Sequence, residues 1–335
     1  MKYDKNNRAK VVAIGGGTGL SVLLRGMKRE SYDLSAIVTM ADDGGNSGIL
    51  REDLGMLPPG DVRSCLLALA DEENAMQEIL KYRFSEGRLA GNNLGNLIIA
   101  ALNDIYGNFD LAVSRISDIL KIQGRVIPVT DVKVRLCAEL INGSIVLGES
   151  RIAEVALAEK TTINQIFLQP VGARAAQIAC DAVKQADMIV IGPGSLYTSI
   201  IPNFLAAGMV EALKESKGVR IYVCNVMTQP GETDGYGLTE HVKTLVKYLE
   251  GMLPDYVLAN NRQLDHEALR TYISDGARQL TIEDSDRAFL RDEGIILIED
   301  NFIETKVGYI RHDSARIADV TERILVSTHI DSSIA

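Results

Sequence analysis

Several short polar strings in this chain carry residue types that could do chemistry. Gly15-Gly16-Gly17-Thr18-Gly19 follows an apolar run at residues 11–14 and opens a helix-period segment. Glycines remove the Cβ obstruction to close approach, and the free N–H groups and positive dipole at a helix start favour an anion. Gly16, Gly17, Thr18 and Gly19 are therefore expected at a phosphate. The string is not a dinucleotide fingerprint, because the last glycine position falls on Leu20 or Val22, and it is not a Walker loop, because no lysine follows. A tight turn that merely packs a helix on a strand is the alternative.

The second string is Asp42-Asp43-Gly44-Gly45-Asn46-Ser47-Gly48, after the second apolar run. A carboxylate at the end of a second strand can accept hydrogen bonds from ribose hydroxyls, and Asp43 with Asp61 could instead offer oxygen ligands to Mg²⁺. Asp61 lies in Pro58-Pro59-Gly60-Asp61-Val62-Arg63, a rigid turn in which it could equally cap the next helix. Gly91-Asn92-Asn93-Leu94-Gly95-Asn96 supplies amides suited to a base or sugar, with Asn93 and Asn96 as candidates and helix capping as the competing role. Gly194 and Ser195, in GPGSLYTS, and Asn225, Thr228 and Gln229, in NVMTQPGETDGY, each follow a further apolar run. Near the end, Arg311 precedes a helix start and can grip a phosphate with paired donors. Phosphate added to Ser314 would compete for that arginine, so control by a Ser/Thr kinase is an expectation of the same segment. The four histidines, His241, His266, His312 and His329, are dispersed and give neither metal spacing nor a Ser/His/Asp order.

These loops need a scaffold that gathers them at one edge. Apolar runs at 11–14, 35–40, 188–191 and 220–226 read as buried strands, separated by helical segments near 19–28, 62–70, 174–185, 198–215 and 239–250. Such alternation predicts a three-layer α/β/α, Rossmann-like fold with a mainly parallel sheet. In sheets of that kind ligands collect outside the carboxyl ends of the strands, where several polar loops would converge. Residues 124–170 differ: short alternating segments flank an Asn142-Gly143 turn, which predicts a β-rich insertion within a single domain over 1–335. Strands are also expected at 253–258 and 294–297, and a closing helix at 314–325.

With 335 residues, 46% of them hydrophobic, the chain can bury a large core. No apolar run approaches the roughly 18 residues of a membrane helix, and the polar first ten residues lack a signal-peptide pattern, so a cytoplasmic location without membrane insertion is expected. The net charge of −10 argues against nucleic-acid partners, which are met by clustered Lys and Arg. Cys65, Cys137, Cys180 and Cys224 are too scattered for a disulfide framework or a zinc site and are expected to be buried thiols.

Taken in order and spacing, GGGTGLS, ADDGGNSG, PPGDVR, GPGSLYTS and NVMTQPGETDGY resemble the YvcK branch of the CofD-like proteins, the gluconeogenesis factors, over nearly the whole chain. The resemblance implies a CofD-like fold, a role in bacterial growth on gluconeogenic carbon sources with support of cell shape and wall synthesis, and binding of a UDP-sugar such as UDP-N-acetylglucosamine. It places Gly16, Gly17, Thr18 and Gly19 at phosphate, Asp42 or Asp43 near sugar or metal, Ser195 and Asn225 along the cleft, and Arg311 at the diphosphate. Asn92 stands where family members commonly have His, which removes a titratable group. The more distant CofD branch implies a phospho-group transferase with a nucleotide-activated donor and Mg²⁺. NAD is a further ligand that the strand, glycine-loop and acidic-residue order would admit. A homo-oligomer is the protein partner expected.

Overall fold

The computed structural model describes residues 8–30, 32–71, 75–306 and 309–332. Residues 1–7 of the polar first ten and Gly308 lie outside the described residues.

Seven strands form the central sheet: β1 (Lys10–Gly15), β2 (Asp33–Val38), β3 (Arg125–Pro128), β7 (Met188–Ile191), β8 (Val219–Val223), β9 (Tyr256–Asn260) and β10 (Ile296–Asp300). Their order is β10-β9-β8-β7-β1-β2-β3, and every pairing is parallel. Parallel strands buried on both faces read as continuous apolar runs, as in the fully buried MIVI of β7. The chain builds outward from β1 through β2 to β3, then returns to β7 and builds outward the other way. The strand order therefore reverses between β1 and β7, the point at which open parallel sheets leave a crevice at their carboxyl ends.

The intervening helices are α1 (Gly17–Met27), α2 (Gly45–Leu54), α3 (Gly60–Leu69), α4 (Ala75–Lys81), α5 (Leu94–Tyr106) and α6 (Phe109–Leu120) in the first half. The second half has α8 (Gln177–Lys184), α9 (Ile201–Phe204), α10 (Met209–Glu215), α11 (Leu238–Tyr248), α12 (His266–Ser274), α13 (Asp284–Asp292) and α14 (Ser314–Ser332). The 198–215 helix expected from the sequence is broken. A π-helical turn at Leu196–Ile200 precedes α9, and Gly208, with φ 102°, separates α9 from α10. α14 packs along α1 so closely that a Cβ on Gly26 would run into the Ser314 backbone, with its carbonyl carbon at 2.6 Å.

Residues 124–170 divide between two sheets. β3 joins the central sheet beside β2, while β4 (Arg135–Leu140), β5 (Ile145–Leu147) and β6 (Ile163–Gln169) form an antiparallel sheet ordered β5-β4-β6. The expected turn is present, with Gly143 N–H donating to Leu140 C=O at 2.9 Å. α7 (Glu149–Ala158) packs on that sheet. A ribbon of β11 (Ile303–Lys306) and β12 (Tyr309–His312) leads into α14. All four cysteines are buried and free, and among the described residues no helix is long and apolar enough to cross a membrane.

Candidate functional site

The carboxyl end of β1 turns sharply into α1. Gly16 is extended at φ −169°, and Gly17 enters the helix at φ 61°, a region that favours glycine. The turn is locked against the loop after β7. A Cβ on Gly19 would stand 2.8 Å from the Pro193 carbonyl carbon and 2.9 Å from Gly194 Cα, and one on Gly16 would stand 2.6 Å from Thr39 Cγ2. Buried Asn203 of α9 fixes the same junction, its Nδ2 donating to the carbonyls of Gly15, Ser199 and Ile200 at 2.9 to 3.1 Å. The head of α1 and the β7 loop thus form one wall of the crevice at the strand-order reversal. Thr18 is exposed there, and Ser199 Oγ lies 3.6 Å from the Cβ position of Gly17. Gly194 N–H donates to Asn225 Oδ1 at 3.5 Å, which brings the β8 loop to the same edge. Ser195 is half-buried at the head of the π-helical turn, its carbonyl accepting from Ser199 and Ile200.

The heads of α2 and α3 meet this wall from the other side. Asp61 accepts the Gly17 N–H, so it ties α3 to the head of α1 instead of capping its own helix. Asp42 Oδ1 accepts the Gly44 N–H at 3.0 Å while Oδ2 and the buried Ser47 hydroxyl press on Gly60. Asp43 faces elsewhere: its two oxygens accept the N–H groups of Glu149 and Ser150 at 3.1 and 2.9 Å, capping α7. The structure therefore joins Asp61 to Asp42, and it does not join either to an Asp43 free to ligate. Among the described residues no three His, Cys, Asp or Glu side chains are grouped to hold a metal ion. Asp43 is taken up by the head of α7 and Asp61 by the Gly17 N–H, so the two do not fit Mg²⁺ as a ligand pair.

Two acidic residues that the sequence reading did not select complete this part of the crevice. Glu149 opens α7, and Glu232 is buried in the β8–α11 loop. Glu232 Oε1 accepts from Thr198 Oγ1 at 3.3 Å and Gln229 Nε2 at 2.6 Å, while Oε2 has no hydrogen-bond partner among the described residues. Burial pushes the Glu232 carboxyl up to about 7 against the opposing pull of the Thr198 hydroxyl and the Tyr197 N–H. Burial, then the charge of Asp42, raises Asp61 to about 7, with Gly17 N–H and Arg63 acting the other way. Glu149 rises to about 8, first through burial and then through the charges of Asp42, Asp43, Glu232 and Asp61. Burial disfavours the charged form of all three, and like charges add to that effect at Asp61 and Glu149 only. Arg63, a nearby cation, donates to Leu80 C=O at 3.3 Å and leaves Nε without a partner. The sequence signals for the missed pair were a glycine before a helix-opening glutamate, Gly148-Glu149, and Glu232 inside an already noted string.

Several other expected residues make contacts within the fold. Asn93 caps α5, its Oδ1 accepting Asn96 N–H at 3.1 Å, and Asn96 Nδ2 donates to Asn46 Oδ1 at 2.9 Å. Asn46 also accepts Asn93 N–H and donates to Asn92 Oδ1, so one side chain joins the heads of α2 and α5. Thr228 is turned to the 278 segment, its hydroxyl accepting Arg278 N–H at 2.8 Å. Arg311 sits on β12 opposite Glu304 and close enough to Arg25 of α1 for their charges to oppose. His312 is held by Cys224 C=O at 3.1 Å.

Comparison with known proteins agrees with this architecture. The family model described as 2-phospho-L-lactate transferase CofD matches residues 11–303. The Gluconeogenesis factor of Bacillus subtilis is 41% identical over 319 residues, covering 95% of this chain and 98% of its own. That of Listeria innocua is 40% identical, covering 94% and 95%. A crystal structure of a UPF0052 family member from Bacillus halodurans superposes with a TM-score of 0.89 at 37% identity, covering 93% of this chain and 99% of that one. From β1 through β11 the chain carries the same framework, and it belongs to the CofD family, alongside proteins named as gluconeogenesis factors.

Proposed function

We propose that this protein is a nucleotide-sugar-binding regulator of the UDP-N-acetylglucosamine type, acting in cells that grow on gluconeogenic carbon sources and supporting cell shape and wall homeostasis there. The observation that carries the reading is the interlock of the α1 head with the β7 loop at the strand-order reversal. Helix-start amides and a Cβ-free turn accept a diphosphate there, and the approach of Asn225 extends the crevice toward a nucleoside. The names of the relatives support the physiological part. Calorimetric titration with UDP-N-acetylglucosamine, NAD and GDP, each with and without Mg²⁺, tests it. Selective uridine-sugar binding is expected; its absence at millimolar concentration would sink the reading. NAD binding instead would indicate a dinucleotide site.

A second reading, a phospho-group transferase of the CofD kind, is favoured by the family match and by the joined Asp42 and Asp61. It predicts turnover of a nucleotide-activated donor that disappears in Asp61→Asn. Persistent inactivity across donors and acceptors would remove it.

A further inference from the structure

The crevice has two chemically opposite walls. One presents the N–H groups of the α1 head and the glycines that touch the β7 loop. The other gathers Asp42 from the loop after β2, Asp61 from α3, Glu149 from the first turn of α7 and Glu232 from the loop after β8. Asp42, Asp61 and Glu232 thus lie within electrostatic reach of Glu149, and Glu232 is tied to Thr198, the neighbour of the Ser199 that stands beside Gly17. Asp61 spends part of its capacity on Gly17 N–H and Asp42 on Gly44 N–H. Glu232 differs: Thr198 and Gln229 fix one oxygen, and the other is buried with no hydrogen-bond partner among the described residues. A buried acceptor left unsatisfied costs free energy, so a fixed and orphaned oxygen in a ligand crevice calls for a donor supplied by the ligand.

A phosphate is the poorer match, because it offers no donor and its charge would add to the carboxylates that already crowd Glu149, whereas sugar hydroxyls both donate and accept. We infer that Glu232 and Glu149 form a subsite for a hydroxyl-rich group attached beyond the diphosphate, with sugar hydroxyls donating to Glu232 Oε2 and to the Glu149 carboxyl. The inference rests on the nucleotide-sugar reading and adds which end of the ligand lies against which wall. Donor-poor ligands then gain only the α1 wall, whereas a sugar gains both. Glu149 is anchored through its own backbone, its N–H bound by Asp43, so its side chain can be removed without undoing that cap. Gly231, whose Cβ position meets Ala153 Cα of α7 at 2.8 Å, keeps the Glu232 loop seated against the helix that bears Glu149.

The test is calorimetric titration of the full chain with UDP, UDP-glucose and UDP-glucosamine, on wild type, Glu149→Ala, Glu232→Ala and Glu232→Gln. Thermal unfolding of each variant identifies any loss of fold, and Glu149→Ala carries the test if Glu232→Ala does not fold. Wild type is expected to bind UDP-glucose at least ~10-fold more tightly than UDP, about 1.4 kcal/mol. In Glu149→Ala and Glu232→Ala that ratio should fall below ~2-fold with UDP affinity kept within ~3-fold, and Glu232→Gln should retain part of it. Equal binding of UDP and UDP-glucose by wild type would overturn the subsite while leaving the nucleotide reading intact. So would variants that weaken both ligands alike. A UDP-glucosamine preference of ~10-fold or more over UDP-glucose would show selection of an ammonium in place of a hydroxyl and would also overturn it. If none of the three ligands binds wild type, the subsite is overturned, and the nucleotide-sugar reading falls with it only where UDP-N-acetylglucosamine also fails to bind.

Discussion

The glycine loop at residues 15–19 and the asparagine loop at residues 91–96 resemble each other as strings, polar and Gly-rich ahead of an apolar helix, yet the fold uses them oppositely. In the asparagine loop the side chains are consumed: Asn93 caps α5, and Asn46 reaches across to Asn92, Asn93 and Asn96. In the glycine loop almost nothing is consumed by side chains. Gly16, the residue before α1, has no side-chain cap, and among the described residues only Asp61 reaches in to take the Gly17 N–H. A helix head whose donors are already satisfied is a joint between helices. One whose donors remain available is a place for a ligand. Where the hydrogen bonds of a loop go, more than which residues it holds, separates the two.

The sharpest way to break that contrast is Gly19→Ala. The added Cβ would meet the Pro193 carbonyl group and Gly194 Cα, backbone on both sides, so the α1 head must move off the β7 loop. Nucleotide-sugar affinity is expected to fall ~100-fold, about 2.7 kcal/mol, with about 1–3 kcal/mol of stability lost to overpacking. Calorimetry and thermal unfolding read the two effects. Affinity within threefold of wild type would show that the interlock does not form the ligand wall.

The opposite substitution is Asn46→Ala in the joint. It strands Asn93 N–H, Asn96 Nδ2 and Asn92 Oδ1 at once. A loss of about 2–3 kcal/mol is expected from buried groups left unpaired, read by denaturant unfolding, with ligand affinity changed less than ~2-fold. A large affinity loss without a stability loss would reverse the assignment of the two loops.

Much of this was legible in the sequence, for reasons that differ by element. β1 and β7 stood out because strands buried on both faces show as unbroken apolar runs. The turn at Asn142-Gly143 announced β4 and β5 because φ is 89° at Gly143, which glycine tolerates. α2 was not expected, since GNSGILREDL carries three residues of low helix propensity in its first turn and is held by tertiary contacts. Residues 198–215 kept a helical period although Gly208 interrupts it, because periodicity reports the buried face and not the continuity of the axis. At the site, the glycine loop was visible through residue type. Glu149 was invisible because only the fold carries α7 from the small sheet to the mouth of the crevice, where it feels Asp42 and Glu232.

Charge offers a third test of the contrast. The joint is neutral, whereas the open crevice holds carboxyl groups displaced upward, Asp61 and Glu232 to about 7 and Glu149 to about 8. Unfolded carboxyls titrate near 4, so the native state binds these protons more tightly than the unfolded state does. Their stabilising contribution is fully present below about pH 4 and is lost as pH rises through about 7 to 8. Stability of the ligand-free protein, followed by urea unfolding, should therefore fall by at least ~1 kcal/mol between pH 5 and pH 8. Asp61→Asn should flatten that slope, and Asn46→Ala should leave it unchanged. Parallel curves for wild type and Asp61→Asn would mean that the crevice carboxyls do not set it.

The smallest expected effect is also the most specific to the joint. Asn93 supplies a single cap, accepting Asn96 N–H at 3.1 Å, and its Nδ2 makes a long bond of 3.3 Å to Lys81 C=O. Asn93→Ala should cost about 1 kcal/mol, the usual value of an N-cap. Asn93→Asp should restore most of the loss, because a carboxylate accepts the same N–H and gains from the positive end of α5. Denaturant midpoints of the three proteins at equal slope would measure this. A loss in Asn93→Ala that Asn93→Asp does not recover would shift the weight of the joint from the cap to the Lys81 bond. An accompanying fall in UDP-sugar affinity would move Asn93 back into the ligand site and narrow the distance between the two loops.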